Sequence, residues 1–455
     1  MAMAALLARD ASASPIPGEA ADPPPHHPPK ARRAIQIFLQ GGLSQVDSFD
    51  YKPELARLHG QPVPGKEKPV AFMGKVGLLH RPHFEFKQRG QSGLWVSDLF
   101  PHLADVADEL TVIRSMWAGT GNHTPATYEA NSGFRTLGFP AAGTWISYGL
   151  GCDVDNLPTF VVMPDSRSLP TGGANNWTSG FLPARHQGVV LSTSGPPVRD
   201  LAPSSGADSA TQAARFAALA ELNRRHLEQH GVDDALAGRM RSYELAARMQ
   251  LAIPEVADLA RESAQTLSRY GVERKECADF ARGCLLARRL VERGVRFVQL
   301  WSGAAFGQEV HWDAHGNVPD NHRREAAKID QPVAALLGDL RERGLLDDTL
   351  VIFNTEFGRT PYAESAGDKA GAGRDHNADA FSVWLAGVGL RHGIAYGASD
   401  DIGWKTADKP ADVHDFHATI LHLLGIDHTR LTFYHNGIQR RLTNVHGHVI
   451  RDILA

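Results

Sequence analysis

Two spacings organise the apolar residues of this chain. Short runs rich in β-branched and aromatic residues alternate with longer stretches in which apolar positions recur every three or four residues. The first short run, Ala34 to Leu39, stops at Gly41-Gly42. Leu110 to Ile113, Pro158 to Met163, Val295 to Trp301, Leu350 to Phe353 and Phe381 to Ala386 share its character, and each predicts a strand. From about residue 208 to 293, Ala, Leu, Arg and Glu dominate with helical spacing, as in Phe280–Cys284–Ala287–Leu290. Arg323 to Arg343 predicts an amphipathic helix ended by Gly344, carrying Leu336, Leu337 and Leu340. A last helix is predicted from an Asp412 N-cap to Gly425, with Val413, Phe416, Ile420 and Leu424 on one face. Strands alternating with helices predict an α/β fold with a mainly parallel central sheet and helices on both faces. Residues 164–205, rich in Gly, Ser, Pro and Asn, predict a long surface excursion.

Composition narrows the function. The 455 residues carry 47 basic and 51 acidic side chains, a net charge of -4, which argues against a nucleic-acid binder working through a basic face. No apolar run reaches the ~18 residues of a membrane span. Three cysteines exclude a disulfide framework and a cysteine zinc site. Histidine is abundant, with 22 copies, so any transition metal is to be held by imidazole and carboxylate. Residues 1–31 read either as a disordered Ala- and Pro-rich tail or as the remnant of an export signal, because MAMAALLA precedes small residues but lacks a basic leader. The rest, 32–455, reads as one α/β domain with a helical insertion at about 205–293.

In parallel sheets, ligands bind beyond the carboxyl ends of the strands. Here those ends lead to Ser44-Gln-Val-Asp47, to His311-Trp-Asp313-Ala-His315, and to Glu356-Phe-Gly-Arg359, with Gly373-Arg-Asp-His376 downstream. Such oxygen and nitrogen donors suit Zn, Mn or Fe, Zn and Mn first, with Ca as an alternative. Glu356 follows a strand buried on both faces and needs a metal or an arginine, for which Arg359 is the nearest candidate. Arg359 and Arg374 offer planar donors for an oxyanion. His414 and His417 lie on one side of the last helix near its start, where the dipole keeps imidazoles neutral; either is a ligand or an ordinary surface residue. There is no G-x-S-x-G elbow, Walker A loop or H-E-x-x-H.

The segments Ile37–Pro53, Leu286–Phe297, Trp312–His315, Glu356–Pro361, Gly373–His376 and His414–Leu421 together resemble the bacterial "domain of unknown function 1501" family, often labelled sulfatase-like. That family resembles the alkaline phosphatase superfamily of phosphatases, sulfatases and phosphoglycerate mutases. The resemblance implies a two-metal α/β fold and a hydrolase of sulfate or phosphate esters, acting on a small-molecule or carbohydrate ester. It also implies export to the periplasm, with a cytoplasmic location as the alternative. Asp313, His315 and His376 would hold the main metal. Asp47, His123 and Glu356 would furnish the second site or the acid–base groups, His417 is the candidate ligand from the last helix, and Arg359 would bind the oxyanion. The sequence departs from the superfamily pattern at three points. Gly41-Gly42 stands where an Asp ligand is usual, with Asp47 as substitute. Phe357 replaces a ligating His. His123 occupies the nucleophile's place, with Thr124 beside it as a weaker hydroxyl alternative. These departures leave two rivals standing: a binding or structural protein that retains the fold, and a phosphomutase-like isomerase.

Overall fold

A computed structural model describes residues 24–455 except 67–68, 73–74, 155, 199–208, 231–244, 246–248, 250–251, 305–310 and 365–371. The Ala-rich start of the chain, expected as a tail or signal remnant, lies outside the described residues up to position 23.

The strands that matter for the site are β1 (Arg33–Leu39), β2 (Thr111–Trp117), β3 (Phe160–Met163), β4 (Phe297–Ser302), β5 (Thr349–Thr355), β6 (Gly358–Glu364), β7 (Arg374–Asn377) and β8 (Phe381–Gly387). The helices are α1 (His123–Ser132), α2 (Ala142–Leu150), α3 (Ala278–Glu292), α4 (Val318–Glu342) and α5 (Val413–Leu423). Among the described residues the main sheet has nine strands, and its central order is β2-β8-β5-β1-β4-β3. β1 pairs in parallel with both β4 and β5. β8 alone runs antiparallel, against β5 and β2. The fold is therefore α/β with a mainly parallel sheet.

A parallel strand between two others is covered on both faces, so its sequence is apolar throughout. β1 fits this rule: Ile35, Ile37 and Leu39 join the core under α3 and α4, while Ala34 and Phe38 join the core under α1, α2 and α5. The polar exception is Gln36. It donates to Asn354 at 3.0 Å and accepts from Gln299 at 3.0 Å, and Gln299 donates to Asn131 of α1 at 2.7 Å. This buried row crosses three strands and ties α1 to the sheet.

The excursion after β3 is not wholly a surface loop. Val189–Val190 adds a strand beside β3, and Trp177, Leu182, His186 and Leu191 are buried, so apolar anchors pull the segment onto the domain. The predicted last helix is α5, with Asp412 and Asp415 forming a capping box. Among the described residues, no helix is long and apolar enough to cross a membrane.

Candidate metal centre

Five chain segments meet at the carboxyl edge of the sheet. β1 runs into Gln40-Gly41-Gly42, β2 into the start of α1, β4 into the loop holding Asp313 and His315, and β5 into Glu356. β8 is reversed, so its beginning lies at the same edge, and β7 just before it delivers Asp375 and His376. β6 pairs antiparallel with β7, setting Arg359 opposite His376.

Gly41 makes the closest of these approaches possible. Its φ is +119°, and a Cβ there would stand 2.5 Å from the Asp313 nitrogen and 2.6 Å from that of Trp312. The Trp312 amide donates to the Gln40 carbonyl at 2.9 Å, drawing the Asp313 loop onto β1. A side chain at position 41, aspartate included, would push that loop away.

Asp313 is the hub. Its Oδ1 accepts from Arg359 at 2.5 Å and lies 2.9 Å from His315 Nε2 and 3.2 Å from His376 Nε2. Its Oδ2 lies 3.3 Å from His123 Nε2. The opposite nitrogen of each ring is held separately. His123 Nδ1 donates to Glu356 at 2.7 Å, His376 Nδ1 donates to the Gly121 carbonyl at 2.6 Å, and His315 Nδ1 bonds Glu364. Donor atoms of His123, Asp313 and His376 lie within 4.8 Å of one another, a spacing that a metal ion can close. A second group, His315, Glu364 and Asp375, meets the same limit.

Burial raises the pKa of Asp313, but Arg359 and the three imidazoles outweigh it and hold the carboxyl far below its ordinary value. Burial opposes charge on His123 and His315, yet their carboxylate partners raise both pKa values. For His376 burial wins, with help from Arg359 and His123, and its pKa falls to about 4. A neutral His376 whose Nδ1–H is committed to a carbonyl directs its Nε2 lone pair at a carboxylate oxygen. A cation between them relieves that repulsion.

Arg359 serves the protein interior. It is fully buried and donates to the Gly41, Gly42 and Arg374 carbonyls as well as to Asp313. It clamps the turn after β1 to the Asp313 loop. Glu356 is satisfied without it, accepting from the Gly41 amide at 2.8 Å, Gln40 at 2.9 Å and His123. Phe357 packs its ring against both His123 and His376, at 4.7 Å each, and fills the space beside Gly42.

The structure brings together Asp313, His315, His376, His123, Glu356 and Arg359 from the sequence-derived set. Thr124 follows His123 in the first turn of α1, half-buried. Asp47 is placed elsewhere: it pairs with buried Arg374 at 2.8 Å and accepts from buried Ser44 at 2.5 Å and from the half-buried His83 amide at 2.7 Å. Arg374 is spent on Asp47 and on the carbonyls of Thr360, His80 and Arg81, so it is not turned to an oxyanion. His417 stays outside the cluster too, bonding the Ala130 carbonyl at 3.0 Å, and His414 bonds that of Gly133. Both brace the end of α1. Sequence reasoning assigned no role to Glu364 or Asp375. Glu364 stands in no motif; Asp375 adjoins His376 in Gly373-Arg-Asp-His376, and that adjacency was its available signal.

Three solved structures are similar to this chain at low scores. The lipoteichoic acid synthase of Listeria monocytogenes is 10% identical at a TM-score of 0.35, with 92% of this chain and 76% of that chain covered. The sulfatase PsFucS1 of Pseudoalteromonas sp. is 13% identical at 0.36, covering 87% and 68%. The C-terminal periplasmic domain of EptC from Escherichia coli, in complex with Zn, is 8% identical at 0.37, covering 93% and 97%. Likeness at these scores carries no chemistry over to this chain. Comparison with curated proteins finds no match. A sequence-family profile matches residues 31–454, so nearly the whole chain, strand-end cluster included, belongs to the family described as "Protein of unknown function (DUF1501)".

Proposed function

We propose that this protein is a divalent-metal-dependent hydrolase of phosphate or sulfate esters. The observation that carries the reading is the convergence of His123, Asp313 and His376, from three separate strand-end segments, to within 4.8 Å. Imidazole and carboxylate donors suit Zn or Mn. When bound, such a cation polarises a phosphoryl or sulfuryl oxygen or activates water. Asp313, His315 and His376 hold it. Arg359 fixes the Asp313 carboxylate and acts through it, because its guanidinium already faces protein acceptors. The amino end of α1 reaches the cluster through His123, and the positive end of its dipole favours an anionic ester there.

The test is metal analysis of the purified chain, followed by hydrolysis of nitrophenyl phosphate and sulfate. Bound Zn or Mn, lost in an Asp313→Ala, His376→Ala double variant together with ester turnover, is the expected result. Full metal content in that variant, or turnover that survives it, refutes the assignment.

One observation favours the rival, a binding protein that retains the fold. Asp313, Glu356 and Glu364 face Arg359, His123 and His315 in contacts that pair every charge internally. That reading expects an intact cluster without metal and no turnover on any ester.

A further inference from the structure

We infer that His123 is a metal ligand, completing a mononuclear centre of three histidines and one aspartate, with Glu356 and Glu364 as the outer carboxylates that orient two of its rings. The inference rests on the reading that the cluster binds a cation and goes further by naming its full ligand set.

The argument is one of ring orientation. His123, His315 and His376 come from α1, the Asp313 loop and β7, yet all three turn the same nitrogen, Nε2, toward Asp313 at 3.3, 2.9 and 3.2 Å. Each gives Nδ1 to an oxygen acceptor: Glu356, Glu364 and the Gly121 carbonyl. An acceptor at Nδ1 fixes the proton there and leaves Nε2 as the coordinating atom, which is the arrangement of metal-bound histidines with their supporting shell. Three unrelated segments would not share it if the rings were only filling space.

The second group of candidate donors does not make a separate site. His315 cannot spend Nδ1 on a second ion while it donates that proton to Glu364. Asp375 accepts from the backbone amides of Phe72 at 2.6 Å and His376 at 2.8 Å, which fixes the turn that presents His376. Phe357 packs its ring against His123 and His376 and offers no ligand atom. Among the described residues, the donors therefore make one ion site. With His123 coordinating through Nε2, it is not available as a covalent nucleophile.

The experiment uses the full chain, stripped with a chelator and titrated with Co2+, whose visible bands report its ligands. The expected result is one Co2+ per chain. His123→Ala should move the bands and weaken binding about 100-fold or more. Glu356→Gln and Glu364→Gln should each weaken it about 10- to 100-fold while leaving one ion per chain. Circular dichroism reports whether each variant folds; should His123→Ala not fold, the two glutamine variants carry the test. Two Co2+ per chain, unchanged affinity and bands in His123→Ala, or unchanged affinity in both glutamine variants overturns the inference. A His123-dependent Co2+ site on a protein that cleaves no ester overturns the hydrolase reading and leaves this one standing. Ester turnover with an unaltered His123→Ala spectrum does the reverse.

Discussion

Replacing Asp47 by Asn separates the structural reading of this residue from a metal-binding one. The Asp47 carboxylate is fully buried against Arg374, with Ser44 and the His83 amide on its remaining lone pairs. Asparagine keeps the shape and an acceptor but leaves the guanidinium without a counter-charge. Breaking a buried pair on one side costs about 3–5 kcal/mol. The acid side of the stability profile gives an independent figure. Burial alone would raise the Asp47 pKa, but Arg374, His83 and Ser44 lower it from 3.8 to about 2. A depressed folded pKa means stability that is fully present above about pH 4 and lost as the pH falls through 2, worth roughly 2 kcal/mol in all. About half of that is gone at pH 3. The assay is urea unfolding of both proteins at pH 7 and pH 3, followed by circular dichroism. The variant is expected to be less stable by about 3–5 kcal/mol at pH 7. The gap should narrow by about 1 kcal/mol at pH 3, since the other titrating groups are common to both chains. The folded variant is expected to keep its full metal content, because Asp47 faces Arg374 and not the Asp313 cluster. A gap under about 1 kcal/mol at pH 7, or one that widens at pH 3, refutes the reasoning.

Three further outcomes follow from the same geometry. Gly41→Ala places a Cβ 2.5–2.6 Å from the backbone of Trp312 and Asp313 at a φ of +119°, so it should lower the melting temperature and weaken metal binding together; normal binding in that variant would show that the Asp313 loop does not depend on the close approach. Arg359→Lys removes the planar fork that spans Asp313 and the Gly41 and Gly42 carbonyls, and a stability loss of about 2–4 kcal/mol is expected in urea unfolding, with an unchanged midpoint as the refuting result. Asp412→Ala deletes the capping box of α5 and should cost about 1 kcal/mol with ester turnover and metal content unaltered; a metal-content change would mean that His414 or His417 reaches the site after all.

Local physics made much of the fold legible. A strand covered on both faces is mostly apolar, so β1, β5 and β8 show in the sequence as apolar runs broken by single polar residues such as Gln36 and Ser382. The Asp412 cap and the apolar stripe behind it announce α5 for the same reason. The rule that ligands gather beyond parallel strand ends drew attention to Asp313, His315, Glu356 and His376 before any coordinates. Within the site, the partnerships were not legible. Arg359 is three residues from Glu356, yet the turn at Phe357-Gly358 carries it to Asp313, while Glu356 finds its partners in Gln40, Gly41 and His123.

Apolar spacing and composition were enough for the α/β class, the approximate strand ends and a supply of imidazole and carboxylate at them. Which carboxylate meets which base was fixed by long-range packing. The pairs within the site span 233 residues from His123 to Glu356 and 63 from Asp313 to His376, and the buried Asp47–Arg374 pair outside it spans 327. Periodicity and capping act over a few residues, whereas partnership across such separations depends on strand order, on the reversal of β8 and on how closely Gly41 lets two loops approach. Those are properties of the packed sheet, and they made Asp47 the partner of an arginine and Asp313 the centre of the cluster.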